Sequence, residues 1–184
     1  MDKPVKRHRW DCIYDRIKDI ENPVGAEIGV YKGECSGNLL RLHPGLTLYM
    51  IDAWSADTYA GKGDDAASPE FRKIYQDEAE ENYKKARAAV SEYFTRALIF
   101  REKSVDAVFG IPDGYFDFVF IDAAHDYESV KADIAAWLPK IKKGGILCGH
   151  DYENPLFPGV KKAVDELFYP FFESYDDYTW YVRL

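Results

Sequence analysis

Short apolar runs alternate with amphipathic or charged segments along most of the chain. Apolar residues recur at helical spacing near its start, at Trp10, Ile13, Tyr14, Ile17 and Ile20, which predicts a helix there. Five apolar runs predict strands at 24–28, 46–51, 96–100, 116–121 and 146–149. Intervening and following segments predict helices at 35–42, 70–93, 105–109, 127–138 and 160–168. Two short aromatic runs close the pattern at 171–175 and 179–182.

This alternation indicates the fold class. The first, fourth and fifth runs are almost continuously apolar, which is typical of parallel strands buried on both faces. Right-handed crossovers then place helices on both sides of the sheet. We predict an α/β fold, a three-layer αβα sandwich around a Rossmann-like, mostly parallel sheet with an antiparallel C-terminal strand.

The chain has 184 residues, which suits one domain over 1–184. Within it we expect an N-terminal helical segment at 1–22 and an insertion at 55–93, composed of a polar loop and a long charged helix. The loop at 59–67 contains Gly61 and Gly63, and is either a lid over the site or a surface insertion.

Composition narrows the function. A net charge of -8 argues against a nucleic-acid partner, because such proteins need a basic face. No apolar run approaches the roughly 20 residues that span a bilayer, and no apolar segment of a secretory signal follows the basic start. The three cysteines are distant from one another, which favours reduced thiols and a cytoplasmic location.

The first strand leads into a turn with glycines. Glu27, Gly29 and Gly33 give the pattern E-x-G-x-x-x-G, and Ser36 and Asn38 supply polar groups where the next helix begins. The pattern lacks the closely spaced glycines of a pyrophosphate cradle. A carboxylate here would repel a phosphate and favour a ligand with a positive group.

Acidic side chains mark the ends of several predicted strands. Glu27, Asp52, Asp122, His150 and Asp151 all lie at carboxyl ends. Ligands of open parallel sheets collect at that edge. The sequence therefore predicts a cleft lined by several carboxylates.

Four segments in this order resemble the class I S-adenosylmethionine-dependent methyltransferases, in particular the small-molecule group with a D-x-x-H-x-Y motif. They are E-I-G-V-Y-K-G at 27–33, Y-M-I-D-A-W at 49–54, F-D-F-V-F-I-D-A-A-H-D-Y at 116–127, and 138–146 followed by H-D-Y at 150–152. The resemblance covers roughly residues 23–184 and implies S-adenosylmethionine as cofactor.

The resemblance also implies which residues bind that cofactor. Asp52 would accept hydrogen bonds from both ribose hydroxyls, since a carboxylate has two acceptor oxygens, or it could instead cap a helix. Trp54 and the Ser104–Val105 region would flank the adenine, although Ser104 is also expected to cap the helix at 105–109. Asp122 would lie near the transferred methyl group. The full set is Glu27, Gly29, Tyr31, Gly33, Ser36, Asp52, Ala53, Trp54, Ser104, Val105 and Asp122.

A hydroxyl acceptor must also lose its proton. The expected catalytic residues are His125, as a general base, and Asp151. Alternatively Asp122, His150 and Asp151 could hold a divalent cation, with Mg²⁺ suiting an oxygen-rich site. Related catechol-type enzymes carry Asp-Asn after the fifth strand, whereas this chain has His150-Asp151. His125 could also bond a loop carbonyl, and Asp151 could cap a helix or pair with a lysine.

The resulting hypothesis is an S-adenosylmethionine-dependent methyltransferase acting on oxygen of a small molecule. A non-catalytic cofactor-binding protein is the first alternative. A nicotinamide-dependent oxidoreductase is the second, and it would require a G-x-G-x-x-G turn that the sequence lacks. The aromatic C-terminal strands offer an edge through which a homodimer could form.

Overall fold

A single twisted sheet organises the structure, a computed structural model that describes residues 7–59, 69–175 and 177–184. Within these residues the sheet has seven strands in the order β3-β2-β1-β4-β5-β7-β6. The strands are β1 Val24–Ile28, β2 Thr47–Ile51, β3 Ala97–Phe100, β4 Phe116–Ile121, β5 Ile141–Gly149, β6 Glu173–Ser174 and β7 Trp180–Arg183. Strands β1 to β5 are parallel, and β7 runs antiparallel to β5. The predicted mostly parallel sheet with an antiparallel C-terminal strand is confirmed.

Helices cover both faces of the sheet. They are α1 Arg9–Ile17, α2 Glu34–Leu42, α3 Ala56–Tyr59, α4 Pro69–Ala89, α5 Ser104–Ala107, α6 Tyr127–Trp137 and α7 Pro158–Phe168. Helices α1, α2 and α4 bury their apolar sides against Phe118 and Phe120 of β4. Helices α5, α6 and α7 pack against Val119 and Ile121, which point to the other face. The predicted three-layer αβα sandwich is therefore confirmed.

Several predicted boundaries differ from the structure; helix α4, for example, ends at Ala89 rather than at residue 93. Helix α1 ends at Ile17 rather than residue 20, because the Ile20 amide bonds to the Ile17 carbonyl in a tight turn. Strand β5 begins at Ile141 rather than 146. Within this extension the amide of Gly144 donates to the carbonyl of Leu184 (2.7 Å), just beyond the end of β7.

The predicted loop at 55–69 contains a short helix, α3. Residues 60–68, and with them Gly61 and Gly63, lie outside the described part of the chain. At the far end of the sheet β6 spans only Glu173–Ser174, shorter than the predicted 171–175. Pairing of this edge with a second copy stays a prediction. None of the helices in the described part of the chain combines the length and the apolar composition of a membrane span.

Candidate active site at the strand tips

The turn after β1 brings two strand tips into close contact. Gly29 and Gly33 adopt φ angles of +89° and +77°. A Cβ at Gly29 would lie 2.2 Å from the backbone oxygen of Asp122, and one at Gly33 would lie 2.9 Å from Cα of Ala86 in α4. Both glycines are thus required by the approach of the chain to itself. Their expected contact with a cofactor stays a prediction.

Asp52 fastens the tip of β2 to the turn after β1. Its Oδ2 accepts hydrogen bonds from the amides of Val30 (3.0 Å) and Tyr31 (2.9 Å), and its Oδ1 accepts from the Trp54 amide (2.8 Å). Burial raises the pKa of Asp52, and these three bonds oppose the increase. The carboxylate therefore closes a local turn rather than capping α3. It offers about four acceptor positions, so capacity for a ligand remains.

Glu27 lies beneath the turn after β1, in the interior of the protein. It is 2% exposed, and its carboxyl accepts a hydrogen bond from the hydroxyl of Ser36. Burial raises the pKa of Glu27 to about 8, against the effect of Ser36 and with a further increase from the charge of Asp122. Near neutral pH Glu27 is mostly protonated. This weakens the expectation that its charge attracts a cationic group.

Trp54 occupies a different environment from the one expected. Its side chain is fully buried, its indole N–H donates to the carbonyl of Tyr31 (2.8 Å), and its ring packs on Tyr83 of α4. Because the ring has no exposed surface, it cannot flank an adenine in this conformation. Ala53, beside it, is half-buried at the strand tip.

The predicted cap at Ser104 is wrong. The N-cap of α5 is Lys103, and Ser104 is the first helical residue. Its hydroxyl accepts a hydrogen bond from the Trp137 indole (2.9 Å), so it ties α5 to α6. Val105, in the same turn, is 43% exposed and available to a ligand.

The tips of β4 and β5 carry a cluster of side chains. Asp122, His125 and Asp151 each offer a ligand atom, and these atoms all lie within 4.8 Å of one another. His125 Nε2 lies 2.9 Å from Asp151 Oδ2 and 3.7 Å from Asp122 Oδ1. Asp151 has a φ angle of +62°, which turns the chain at the end of β5. The expected lysine and helix-cap roles for Asp151 are not what the structure shows.

Electrostatics holds this cluster together. Burial alone would lower the pKa of His125, but hydrogen bonds and charges of Asp122 and Asp151 outweigh it and raise the pKa to about 9. Burial would raise the pKa of Asp151, yet its contacts with His125 and Asn154 and the proximity of His150 hold it far below its usual range. His125 also stacks on Phe157, with ring centroids 4.0 Å apart. At neutral pH the pair is an imidazolium beside a carboxylate, so free His125 is not a ready general base.

His150 takes a different place from the one expected of a metal ligand. His150 is 8% exposed, and neither of its ring nitrogens makes a well-directed hydrogen bond to the described residues. Nδ1 lies 3.2 Å from Asp151 Oδ1 and 4.0 Å from Asp122 Oδ1, while Nε2 lies 3.9 Å from Asp177 Oδ2. The best-formed triad therefore contains His125 in place of His150. Two carboxylates and one imidazole form a donor set that suits a divalent metal ion.

Three residues of this site were missed by the sequence analysis. Arg9 of α1 forms an ion pair with Asp122, Asn154 donates to Asp151 Oδ1 (2.6 Å), and Asp177 approaches His150. The only usable signal was the helical spacing of Arg9 with the buried Cys12 and Ile13, which places its charge on the face of α1 that packs against the core.

Comparison with known proteins gives the family context. Residues 26–152 match the family described as "Methyltransferase domain". A curated relative, the uncharacterized protein y4gI of Sinorhizobium fredii, is 28% identical over 105 residues, which is 57% of this chain. The chain spans about a tenth of that relative, since the match covers 10% of its length.

Solved structures share the fold. The O-methyltransferase NovP superposes with a TM-score of 0.68 at 19% identity, covering 99% of this chain and 84% of NovP. CalS11, a TDP-rhamnose 3'-O-methyltransferase of calicheamicin biosynthesis, gives a TM-score of 0.60 at 17% identity, covering 95% of this chain and 76% of CalS11. At these identities the likeness concerns the fold alone.

Proposed function

The chain belongs to the methyltransferase-domain family, and on that premise we propose that it transfers a methyl group from S-adenosylmethionine to an oxygen atom of a small molecule. The observation that carries the proposal is the meeting of two different sets of groups at one sheet edge. A turn organised by Asp52 lies beside β1, and the Asp122–His125–Asp151 cluster lies beside β4. The crevice between such strands is where open α/β sheets bind ligands.

The first set suits the donor. The turn after β1 lacks the closely spaced glycines of a phosphate cradle and has the carboxylate of Asp52 beside it, which agrees with a donor that carries a sulfonium, an ammonium and a carboxylate. We assign the donor to Gly29, Tyr31, Gly33, Asp52, Ala53 and Val105, with Glu27, Ser36, Trp54 and Ser104 supporting them from beneath. Asp122, at the junction of the two sets, would lie near the methyl group.

The second set suits the acceptor. In methyl transfer the acceptor oxygen attacks the methyl carbon, the carbon–sulfur bond breaks with its electron pair left on the sulfur of S-adenosylhomocysteine, and the hydroxyl proton passes to solvent water. Positioning of the reactants supplies much of the acceleration. Asp151 fixes the orientation of His125, and the imidazolium can stabilise negative charge that develops on the acceptor oxygen.

The same cluster fits a divalent cation. Asp122, His125 and Asp151 would hold it, and binding would require His125 to release its proton. A cation there would lower the pKa of an acceptor hydroxyl bound to it. Transfer to oxygen is supported by the two structural neighbours, both O-methyltransferases, and a small-molecule acceptor is supported by CalS11, a TDP-rhamnose 3'-O-methyltransferase.

Calorimetric titration with S-adenosylhomocysteine, followed by incubation with methyl-labelled S-adenosylmethionine and a panel of small hydroxyl compounds, tests the proposal. We expect binding and labelled product, the latter reduced by a chelator if the cation takes part. Absence of binding at ~1 mM cofactor, the upper end of usual substrate affinities, would overturn the proposal. Binding without labelling of any acceptor would favour the non-catalytic alternative.

A further inference from the structure

The positively charged guanidinium of Arg9 lies against the candidate cation site. Its guanidinium forms an ion pair with Asp122 Oδ2, and the two side chains are 32% and 14% exposed. Arg9 comes from α1, 113 residues away from Asp122 in the sequence. The contact therefore joins the N-terminal helix to the tip of β4.

The rest of α1 is anchored to the protein independently of Arg9. Ile13 and Ile17 are buried in the core beneath the helix. Near its end, the guanidinium of Arg16 lies 4.2 Å from the ring centroid of Tyr181 and 5.0 Å from that of Tyr175. Such contacts add stabilisation beyond burial. The position of α1 beyond its first turn therefore does not depend on the contact of Arg9 with Asp122.

Arg9 and a divalent cation would share the same carboxylate. Asp122 uses Oδ2 for Arg9, and its Oδ1 faces His125 at 3.7 Å and His150 at 4.0 Å. The imidazole of His150 is nine-tenths buried, points into the cluster, and lacks a well-directed hydrogen bond to the described residues. A polar group left in this state indicates that the cluster is built to receive a ligand. A cation coordinated by Asp122 would lie a few ångströms from the guanidinium, where like charges repel strongly.

We propose that Arg9 is a tethered competitor for the divalent-cation site: it neutralises Asp122 when the site is empty, and cation binding releases it together with the first turn of α1. The inference rests on the cation part of the proposed function. It makes the N-terminal helix responsive to occupation of the acceptor half of the site. The competing group belongs to the chain itself, so its effect does not depend on protein concentration.

Two matched variants test the competition. Arg9→Gln removes the charge at the site, whereas Arg7→Gln removes an equal charge from the same end of the chain, where Arg7 pairs with Asp15. Mn²⁺ binding is measured by calorimetry at low salt. We expect Arg9→Gln to bind Mn²⁺ at least about tenfold more tightly than wild type, and Arg7→Gln to stay within about twofold. Equal affinities for the two variants, or no Mn²⁺ binding by any form, would overturn the inference.

A second measurement uses the wild-type protein and does not depend on the folding of a variant. Hydrogen exchange of amides 9–13 is followed with and without Mn²⁺. We expect faster exchange on Mn²⁺ addition, and no change in Asp122→Asn, which weakens the shared ligand. Unchanged exchange in Mn²⁺-saturated wild type would refute the release of the first turn. S-adenosylhomocysteine binding is recorded in parallel, so that failure of the methyltransferase proposal can be told apart from failure of this one.

Discussion

The two halves of the strand-tip surface hold their acidic groups by different means. Beside β1 and β2, Asp52 is held by three backbone amides and Glu27 by the hydroxyl of Ser36. Beside β4 and β5, Asp122 and Asp151 are held by cationic side chains, Arg9 and His125. The first arrangement depends on neutral donors, three main-chain amides and one hydroxyl, whose charge does not change with pH. The second depends on charges that can be titrated, displaced or exchanged.

The difference shows how one sheet edge can serve two tasks. A donor that must bind the same way in every cycle benefits from a turn fixed by amides. A site in which protons or cations move needs partners that can change state. The following predictions test this contrast, beginning with the largest expected effect.

Asp151→Asn should reduce turnover through the half of the site beside β4 and β5, without affecting cofactor binding at the half beside β1 and β2. Loss of the charge beside His125 removes a main cause of its raised pKa and disturbs its orientation. We expect turnover to fall by about 10²-fold or more, the range typical of acid–base and positioning groups, with the dissociation constant for S-adenosylhomocysteine unchanged within about twofold. Labelled-methyl assays and calorimetry measure the two quantities.

Asp19→Asn is the matched control for Asp151→Asn. Asp19 is exposed just beyond the end of α1, so both turnover and affinity should match wild type. A decrease in cofactor affinity in Asp151→Asn as large as the decrease in turnover would show that the two halves are not separable.

Gly29→Ala should break the contact between the halves. The added Cβ would lie 2.2 Å from the Asp122 backbone, at a φ of +89°, so the tips of β1 and β4 must separate. We expect the free energy of unfolding to decrease by about 3 kcal/mol or more. Urea denaturation measures it.

Gly110→Ala separates the two causes of that loss. Gly110 has a similar φ of +86°, but a Cβ there would meet no atom within 4 Å. Its cost should be only that of the left-handed backbone, about 1–2 kcal/mol. Equal losses in the two variants would mean that the close approach of the tips contributes nothing.

Asp52→Ala should weaken the first half. Three amides lose their acceptor, and hydrogen bonds to charged groups contribute about 1.5–3 kcal/mol each. We expect affinity for S-adenosylhomocysteine to fall by at least about tenfold, as measured by calorimetry. Asp57→Ala, which removes an exposed carboxylate paired with Arg72, should leave affinity unchanged. Affinity preserved in Asp52→Ala would contradict a donor site at this turn.

The free energy of unfolding should depend on pH through His125, in the half of the site beside β4 and β5. The pKa of folded His125 is about 9, above its ordinary 6.5, so its contribution is full below pH 6.5 and is lost as pH rises through 9. After solvent screening we expect a difference on the order of 1 kcal/mol between wild type and His125→Gln at pH 6, shrinking toward pH 9. Urea denaturation at several pH values follows it.

Glu27 contributes to the same pH profile with a related sign. Its pKa of about 8 exceeds the ordinary 4.5, so between these values the folded form retains a proton that the unfolded chain releases. The free energy of unfolding therefore decreases as the pH rises from 4.5 to about 8. This slope remains in His125→Gln, so the difference between the two proteins reports His125 alone. A difference that grows with pH would contradict the sign assigned to His125.

The sequence was most informative about features that local pattern determines. The apolar runs at 24–28 and 116–121 coincide with β1 and β4, and the strand-end acids Asp52, Asp122 and Asp151 do meet at one edge. The hydrophobic pattern and the parallel direction of the strands are enough to predict these features, because parallel strands present their carboxyl ends together.

Features that depend on tertiary packing were not predictable. Trp54 follows a strand end, yet α4 covers it and its φ of +39° turns it into the core. The preference of the cluster for His125 over His150 depends on the turn at Asp151 and on where the C-terminal segment places Asp177. Arg9 and Asp122 are 113 residues apart in the sequence, and no local spacing pattern can link residues so far apart.

The left-handed backbone of Asp151 limits what evolution can place at the end of β5. A φ of +62° is most easily adopted by glycine, asparagine, aspartate and histidine, and it disfavours most other side chains. Of these four, only glycine carries no side-chain atom that could bind a ligand. Substitution at this position is therefore expected to favour asparagine and histidine, and wider diversification to arise at neighbours such as Asn154.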